Sequence, residues 1–209
     1  MQPNQPIRIL LADDHPIVRD GLAAILDAES DLNVIGQASN GSEAVELFRL
    51  HQPDVAILDL HMPQMSGVDA ISAIRAEFPN PCIIMFTVYD GDEYIYQGLR
   101  AGAKSYLLKN TPIDEILEVI RTVATGEKHI PAQVGKKLAE RLELTQLSDR
   151  ECQVLQLMST GKTNRGISEV MGVSESAVKF HVNNILTKLG VSDRTHAVVT
   201  ALKRGIIQL

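Results

Sequence analysis

The sequence predicts a doubly wound α/β domain with a five-stranded parallel sheet, followed by a small all-α domain of four helices. Three observations support this prediction. Short apolar runs alternate five times with amphipathic helical segments over residues 1–125, the pattern of strands joined by crossover helices. Beyond residue 146 the periodicity is helical throughout. The charge also changes, from 8 Lys and Arg against 18 Asp and Glu in residues 1–125 to 8 against 5 in residues 146–209.

Each predicted strand of the first domain is a short apolar run, and each is followed by a segment with one apolar helical face. In the first helix, Val18, Leu22 and Leu26 share such a face. The predicted strands are residues 7–12, 32–38, 55–58, 82–87 and 105–108. The predicted helices are residues 16–28, 42–51, 67–78, 93–101 and 113–125. Helices are expected on both faces of the sheet, with a binding site at the carboxyl ends of its strands.

A linker is predicted between the two domains. Gly126 is expected to end the last helix of the first domain, and Pro131 and Gly135 follow before a charged stretch with helical character. The predicted domain bounds are therefore residues 1–125 for the first domain, 126–145 for a linker with a partial helix, and 146–209 for the second domain. The helices predicted in the second domain are residues 148–159, 163–171, 174–189 and 194–204.

The composition excludes several classes of protein. With 209 residues and 44% hydrophobic content, the chain is long enough for two modest globular domains. It has no apolar run near the roughly 20 residues that a membrane helix needs, so no membrane partner is expected. Cys82 and Cys152 are far apart and belong to no metal-binding cluster. This usage, together with an N-terminus that lacks the features of a signal peptide, predicts a cytoplasmic protein.

Polar residues follow the ends of the predicted strands. Asp13 and Asp14 follow the first strand, and Asp59 ends the apolar run of the third. Thr87 ends the fourth strand and Lys109 follows the fifth. Carboxylates packed together repel one another unless a cation lies among them, and Mg²⁺ prefers oxygen ligands. The pattern indicates a Mg²⁺ and phosphoryl site in which Asp59 is the nucleophile. The alternative is that Asp13 and Asp14 cap a helix and that the other positions are coincidental.

The segments LLADDHPIVRDGL, DVAILDLHMPQMSG, MFTVYD and GAKSYLLK resemble the signature segments of the receiver domain of two-component response regulators, over about residues 6–125. The resemblance implies a flavodoxin-like receiver fold and phosphorylation of Asp59 by a histidine kinase. It also implies Mg²⁺ ligands from Asp13, Asp14, Asp59 and the main-chain carbonyl of His61.

The same resemblance implies roles for three further residues. Thr87 and Lys109 would bind the phosphoryl oxygens, and Tyr106 lies at the position of the aromatic residue that rotates inward when Thr87 moves. The side chain of His61 has two interpretations: an additional metal ligand, or a solvent-facing group beside the site that tunes the attack of water on the phosphoryl group.

The second domain contains a pattern typical of a helix-turn-helix. MGVS is predicted to end one short helix with a glycine and to begin the next with an N-cap at Ser174. The helix that follows has an apolar core face and a second face rich in Lys, His and Asn, with Phe180 among them. Such a helix can enter the major groove of DNA, and the alternative from the pattern alone is a plain helical hairpin.

Residues 145–209 are similar to the LuxR-type helix-turn-helix, so that the whole chain resembles a NarL/FixJ-type response regulator. The resemblance implies a transcription regulator that binds double-stranded DNA and forms a homodimer on phosphorylation or on DNA binding. Base contacts would come from Lys179, Phe180 and Asn183. Phosphate contacts would come from Lys162, His181 and Lys188.

The sequence departs from the LuxR-type pattern at Gly166, Ser168 and Ala177. Gly166 is expected in the middle of a helix, where glycine costs about 1 kcal/mol relative to alanine. These departures support one alternative, a receiver protein that acts by protein contact through a tail without DNA-binding activity. A second alternative is a phosphatase or phosphotransferase that works through an aspartyl phosphate. His61 argues against it, because such enzymes usually have a second acid at that position. We therefore expect a regulator and not an enzyme.

Overall fold

Five parallel strands form the sheet of the first domain in a computed structural model that describes residues 5–143 and 145–208. The strands are β1 (Ile7–Ala12), β2 (Leu32–Ala38), β3 (Val55–Leu58), β4 (Ile83–Thr87) and β5 (Ser105–Leu108). Their order in the sheet is β2-β1-β3-β4-β5, and every pairing is parallel. This is the predicted doubly wound arrangement, in which the chain starts near the centre of the sheet and moves outward in both directions.

Helices cover both faces of the sheet. They are α1 (Pro16–Asp27), α2 (Gly41–His51), α3 (Gly67–Glu77), α4 (Asp92–Ala101) and α5 (Ile113–Ala124). Successive strand residues point to opposite faces. Ile9 and Leu11 accordingly belong to a buried cluster with side chains of α1 and α5. Leu10 points to the opposite face, on the side of Leu47 in α2. Its side chain lies 3.2 Å from the position that a Cβ on Gly36 would occupy.

The register of the strands brings their carboxyl ends to one edge of the sheet. Ala12 pairs with Leu58 and Leu58 pairs with Met85, while Thr87 pairs with Leu108. The residues that follow these ends therefore meet at the same edge, where parallel sheets place their binding sites. The predicted polar cluster lies there.

Five further helices follow, α6 (Ala132–Glu143), α7 (Asp149–Ser159), α8 (Asn164–Met171), α9 (Glu175–Leu189) and α10 (Arg194–Arg204). Helix α6 is the helical part of the predicted linker. Helices α7 to α10 enclose a buried core that includes Val154, Ile167, Val178, Ile185 and Ala197. The described chain divides into two compact units, one of residues 1–90 and 95–135 and one of residues 91–94 and 136–209. The bounds of the predicted domains stay a prediction.

Three of the four predicted helices of the tail begin one residue too early, because their first residues are N-caps, while the predicted residues 194–204 match α10. Ser148, Thr163 and Ser174 each have extended backbone angles and accept a hydrogen bond from the third residue of the helix that follows. Gly166 is consequently the third residue of α8, where its N–H donates to the Thr163 hydroxyl. The expectation that Gly166 lies in mid-helix is wrong, and its cost is smaller in a first turn that Thr163 caps.

Among the described residues, no helix has both the length and the apolar character that crossing a membrane requires.

Candidate functional site

Asp59 lies at the carboxyl end of β3 and is buried, with 4% of its surface exposed. Its Oδ1 accepts a hydrogen bond of 2.6 Å from the Leu60 N–H, and its Oδ2 accepts one of 2.7 Å from Lys109 Nζ. A buried carboxylate requires such partners, because a charge removed from water without them is costly. The carboxylate is thus fixed in orientation at the predicted edge of the sheet.

Lys109 connects the two buried acids of the site. Its Nζ lies 2.6 Å from Asp13 Oδ2 and 2.7 Å from Asp59 Oδ2. Burial lowers the pKa of Lys109, but the hydrogen bonds and charges of Asp13 and Asp59 outweigh it, and the pKa is raised above its ordinary value. The ammonium group is therefore charged at neutral pH and offsets the repulsion between the two carboxylates.

Four side chains could hold a metal ion at this edge. Ligand atoms of Asp13, Asp14, His15 and Asp59 all lie within 4.8 Å of one another. Three of the four supply carboxylate oxygens, the donors that Mg²⁺ prefers, so the residues present fit the predicted ion. The sequence interpretation included the three acids and missed His15. The run Asp13-Asp14-His15 was the available signal, since His is itself a common metal ligand.

The His61 side chain lines the same site but is not among those four groups. It is half-buried, and burial lowers its pKa although Asp59 and Asp14 act in the opposite direction. Its ring packs edge-on against Tyr89, with 4.3 Å between the ring centroids. The aromatic contact holds the partly exposed imidazole at the rim of the site, and both interpretations of the His61 side chain stay predictions. The role of its main-chain carbonyl stays a prediction.

Thr87 and Tyr106 are linked through Tyr89. The Tyr89 N–H lies 3.5 Å from the Thr87 hydroxyl, at the limit of hydrogen-bonding distance, and the Tyr106 hydroxyl donates to the Tyr89 carbonyl at 2.7 Å. Tyr106 is fully buried, and its ring lies 3.3 Å from where a Cβ on Gly98 would be. The predicted switch aromatic thus points inward in this structure, in space that a glycine of α4 leaves open.

A cleft of about 270 Å³ opens at this edge of the sheet. Its walls are formed by Asp14, His15, Val18, Asp59, His61, Val88, Tyr89 and Lys109. The cleft gives a phosphoryl donor access to the buried carboxylate of Asp59. A nucleophilic carboxylate, a fixed ammonium group and oxygen ligands for a divalent cation together suit phosphoryl transfer to an aspartate.

Helix α9 presents the residues predicted to contact bases. Lys179, Phe180 and Asn183 are exposed, and 63% of the Phe180 surface is accessible. The opposite side of the helix is anchored in the core by Val178, Val182 and Ile185. A single exposed apolar side chain is ordinary on a protein surface, so Phe180 alone does not indicate a partner.

The three residues predicted to contact phosphates differ in their surroundings. Lys162 is exposed just before α8. His181 is half-buried, and its Nδ1 is buried without a hydrogen-bond partner among the described residues. A phosphate contact would therefore need the other ring nitrogen. Lys188 forms an ion pair with Glu151, with 2.7 Å between Nζ and Oε2. That pairing argues against a phosphate contact by Lys188, which stays untested.

Glu151 is expected to stabilise the second domain as a buried carboxylate. Burial raises its pKa, but hydrogen bonds from Lys188 and Ser148 outweigh this and hold the pKa below its ordinary range. Glu151→Gln should lower the free energy of unfolding by about 2 kcal/mol at pH 7, because it replaces the charged partner of Lys188 with a neutral amide, while the amide oxygen can still accept from Ser148 in the capping box. Since the folded-state pKa is depressed, this contribution is present above the unfolded pKa of about 4.3 and is lost as the pH falls below it.

Urea denaturation at pH 7 and at lower pH measures this contribution. The matched control is Glu169→Gln, since Glu169 forms an exposed ion pair with Arg165 and should change stability little. An equal effect of both substitutions, or a Glu151→Gln effect that persists at low pH, would contradict the assignment.

Comparisons with known proteins match both domains of the chain. Residues 9–121 match the family described as response regulator receiver domain, and residues 145–201 match bacterial regulatory proteins of the luxR family. The transcriptional regulatory protein LiaR of Bacillus subtilis (strain 168) is 42% identical over 209 residues, covering 96% of this chain and 99% of LiaR. The response regulator ChrA of a heme-sensing two-component system has a solved structure that is 34% identical, with a TM-score of 0.60, covering 97% of this chain and 99% of ChrA.

A further solved structure supports the fold alone. RcsB from Salmonella enterica serovar Typhimurium, bound to promoter P1flhDC in the presence of the phosphomimetic BeF3-, is 23% identical with a TM-score of 0.74. The similarity covers 95% of this chain and 99% of the RcsB chain.

The chain belongs to the response regulators of two-component systems. Within that class it is of the NarL/LuxR type, with a receiver domain followed by a LuxR-type helix-turn-helix domain. It is a DNA-binding transcription regulator and not a classical enzyme. The match of the tail to the LuxR family favours DNA binding over the alternative of a tail without it, and a DNA-binding measurement decides between the two.

Proposed function

We propose that Asp59 accepts a phosphoryl group from a histidine kinase in a Mg²⁺-dependent reaction. One observation carries the proposal: the Asp59 carboxylate is buried, is fixed by the Leu60 N–H and Lys109, and still borders a cleft. A carboxylate that only capped a helix would need neither a buried lysine nor a cluster of metal-ligating groups around it. The proposed role is consistent with the receiver family to which the chain belongs.

In the proposed reaction, an Asp59 oxygen attacks phosphorus, a P–O bond forms, and the P–N bond to the histidine of the kinase breaks. Asp13, Asp14 and Asp59, with the main-chain carbonyl of His61, would hold Mg²⁺, which supplies positive charge against the phosphoryl oxygens. Lys109 is placed to bind a second phosphoryl oxygen once it leaves Asp59. The Thr87 hydroxyl, at the end of β4, would take a third.

Phosphorylation would then bias an equilibrium between conformations that already exist. The proposed path starts at Thr87 and passes through Tyr89, whose N–H faces the Thr87 hydroxyl and whose carbonyl binds the Tyr106 hydroxyl. Movement of Thr87 toward a phosphoryl oxygen would displace both groups. Homodimer formation on phosphorylation or on DNA binding is part of this proposal, as is a cytoplasmic location.

The test is the intact mass of the protein after incubation with Mg²⁺ and a small acyl phosphate. The wild type is expected to gain one phosphoryl group, and Asp59→Asn none, because an amide oxygen cannot form the acyl phosphate. Asp69→Asn is the matched control, since Asp69 is an exposed residue in the first turn of α3, and it should behave as the wild type. A gain by Asp59→Asn would place the phosphoryl group elsewhere and contradict the proposal.

We further propose that α9 enters the major groove of double-stranded DNA. The exposed face formed by Lys179, Phe180 and Asn183 supports this, because an amide can bind adenine through two hydrogen bonds and an apolar group can contact a thymine methyl. The exposed Lys162 lies outside α9 and would contact the phosphate backbone. Such contacts add affinity without reading sequence.

Asn183→Ala and Lys162→Ala should therefore differ in their effect on DNA binding. Asn183→Ala should relax preference at one base position, with a loss of about 1–3 kcal/mol on the preferred site. Lys162→Ala should weaken binding to all sequences about equally and reduce the dependence on salt. Selection from a random DNA library, followed by titrations at several salt concentrations, measures both effects. A uniform loss from both substitutions would eliminate the base-reading role of Asn183.

A further inference from the structure

His15 occupies an unusual position at the acidic edge of the sheet. Its Nδ1 lies 2.7 Å from Asp14 Oδ1 and 3.3 Å from Asp13 Oδ1. Its main-chain N–H also donates to Asp13 Oδ1 at 2.9 Å, so the turn after β1 folds the imidazole back over the carboxylates. The ring remains 67% exposed and lines the cleft beside Asp59. It is therefore held against the acids and is also accessible from solvent.

The chemistry of this group differs from that of its neighbours. Carboxylate oxygens suit hard cations such as Mg²⁺, which are seldom bound through nitrogen. An imidazole nitrogen is instead a preferred ligand of Zn²⁺, Ni²⁺, Co²⁺ and related ions. The affinity of a site with such a donor rises along the first-row divalent ions from Mn²⁺ to Cu²⁺. In a site with three carboxylates and one imidazole, Mg²⁺ is consequently expected to use the oxygens only, and a transition metal ion to use the imidazole nitrogen as well.

We propose that His15 Nδ1 is a metal ligand that is used only when a first-row transition metal ion occupies this site. The inference rests on the proposed function, because the three carboxylates are those proposed to hold Mg²⁺. The clustering of its ligand atom with those of the three acids, all within 4.8 Å, carries it. The receiver would then bind Co²⁺, Ni²⁺ or Zn²⁺ more tightly than Mg²⁺, and it would do so through a residue that phosphorylation itself does not need.

A simpler interpretation is that His15 only forms an ion pair with Asp14. An ion pair would reduce the negative charge seen by any divalent cation, and its loss would alter the affinity for Mg²⁺ and Co²⁺ in the same direction. Ligation would instead give His15→Gln a large effect on Co²⁺ and a small effect on Mg²⁺. The ratio of the Kd for Co²⁺ to the Kd for Mg²⁺ distinguishes the two interpretations, because His15→Gln should change this ratio only if His15 is a ligand.

The experiment uses the full chain, titrated calorimetrically with CoCl₂ and with MgCl₂. His15→Gln is expected to raise the Kd for Co²⁺ at least about tenfold, since even the loss of a group that supports a metal ligand has an effect of that size. The Kd for Mg²⁺ should change less than about twofold, because Mg²⁺ uses oxygen ligands. His51→Gln is the matched control, because His51 ends α2 just before the amino end of β3, opposite the site.

Proton NMR of the Co²⁺-loaded protein provides a direct readout. Ligation by Nδ1 leaves the Nε2–H of the same ring near the paramagnetic ion, so a strongly shifted, exchangeable imidazole signal is expected in the wild type and in His51→Gln. Its loss in His15→Gln would support the proposal. Its presence in His15→Gln, or parallel changes in both dissociation constants, would overturn it. Tight Co²⁺ binding with no Mg²⁺ binding would support the role of His15 but contradict the proposed Mg²⁺ site.

Discussion

Gly67→Ala is expected to lower the free energy of unfolding of the receiver domain by at least about 3 kcal/mol, a large effect for one methyl group. A Cβ at this position would lie 2.1 Å from the main-chain oxygen of Asp59 and 3.0 Å from its carbonyl carbon. Neither atom belongs to a flexible side chain. The backbone must therefore move, although the Gly67 N–H donates to the Leu60 carbonyl and α3 starts at Gly67.

Gly67→Ala is expected to displace the backbone of Asp59, because the added Cβ would overlap the Asp59 main-chain oxygen. Amide hydrogen exchange in β3 measures the effect within this domain, since exchange reports the free energy of local and global opening. Gly21→Ala is the matched control. Gly21 lies exposed in α1 with no atom within 4 Å of an added Cβ, and alanine there should stabilise the helix by up to about 1 kcal/mol. Equal protection in both variants would contradict the prediction.

The elements of the fold were predictable because local pattern and tertiary structure agree. The bounds of β1, β3 and β5 match the apolar runs, since strands buried in a parallel sheet are apolar on both faces. The edge strand β2 also has the predicted bounds, although Asn33 and Gln37 are exposed in it. The predicted β4 begins one residue too early, and the other errors lie at helix ends, where caps such as Ser148 are not distinguished from helical residues. Periodicity alone does not separate a capping residue from the first residue of a helix.

The site was predictable as far as it depends on the order of residues after strands. Asp13, Asp59 and Lys109 were expected at one edge and are joined there by two ion pairs. The proximity of Gly67 to the Asp59 backbone was not predictable, because it depends on how the loop after β3 returns to the sheet. The Lys188–Glu151 ion pair joins residues of two helices, and periodicity does not reveal such a contact. Lys188, which the sequence predicts as a contact to DNA phosphates, therefore stabilises its own domain.

Lys109→Met is expected to destabilise the receiver domain in the absence of Mg²⁺ and to make it strongly dependent on that ion. Removal of the ammonium group leaves the carboxylates of Asp13 and Asp59 buried side by side without a cation. The expected loss is about 3 kcal/mol, the lower end of the range for breaking a buried ion pair, because the adjoining cleft admits water. The methionine keeps the aliphatic packing of the lysine, so the loss reports charge.

The Mg²⁺ dependence follows from competition between two cations for the same oxygens. In the wild type, Lys109 already binds Asp13 and Asp59, so a metal ion must displace part of that interaction. In Lys109→Met those oxygens have no competing ammonium group, and the ion should bind more tightly and stabilise the folded state in proportion to the logarithm of its concentration over Kd. The rise in Tm on addition of Mg²⁺ should therefore be larger in the variant than in the wild type.

Lys104→Met is the matched control for this measurement. Lys104 is also buried in the receiver domain, but its Nζ donates to the main-chain carbonyl of Gly126 at 2.7 Å, away from the acidic edge. Its substitution should lower Tm without altering the increment produced by Mg²⁺. If the increment were the same in the wild type and in both variants, Mg²⁺ would not share its ligands with Lys109. The proposed site at Asp13 and Asp59 would then be wrong, whatever the effect of Lys109→Met on stability.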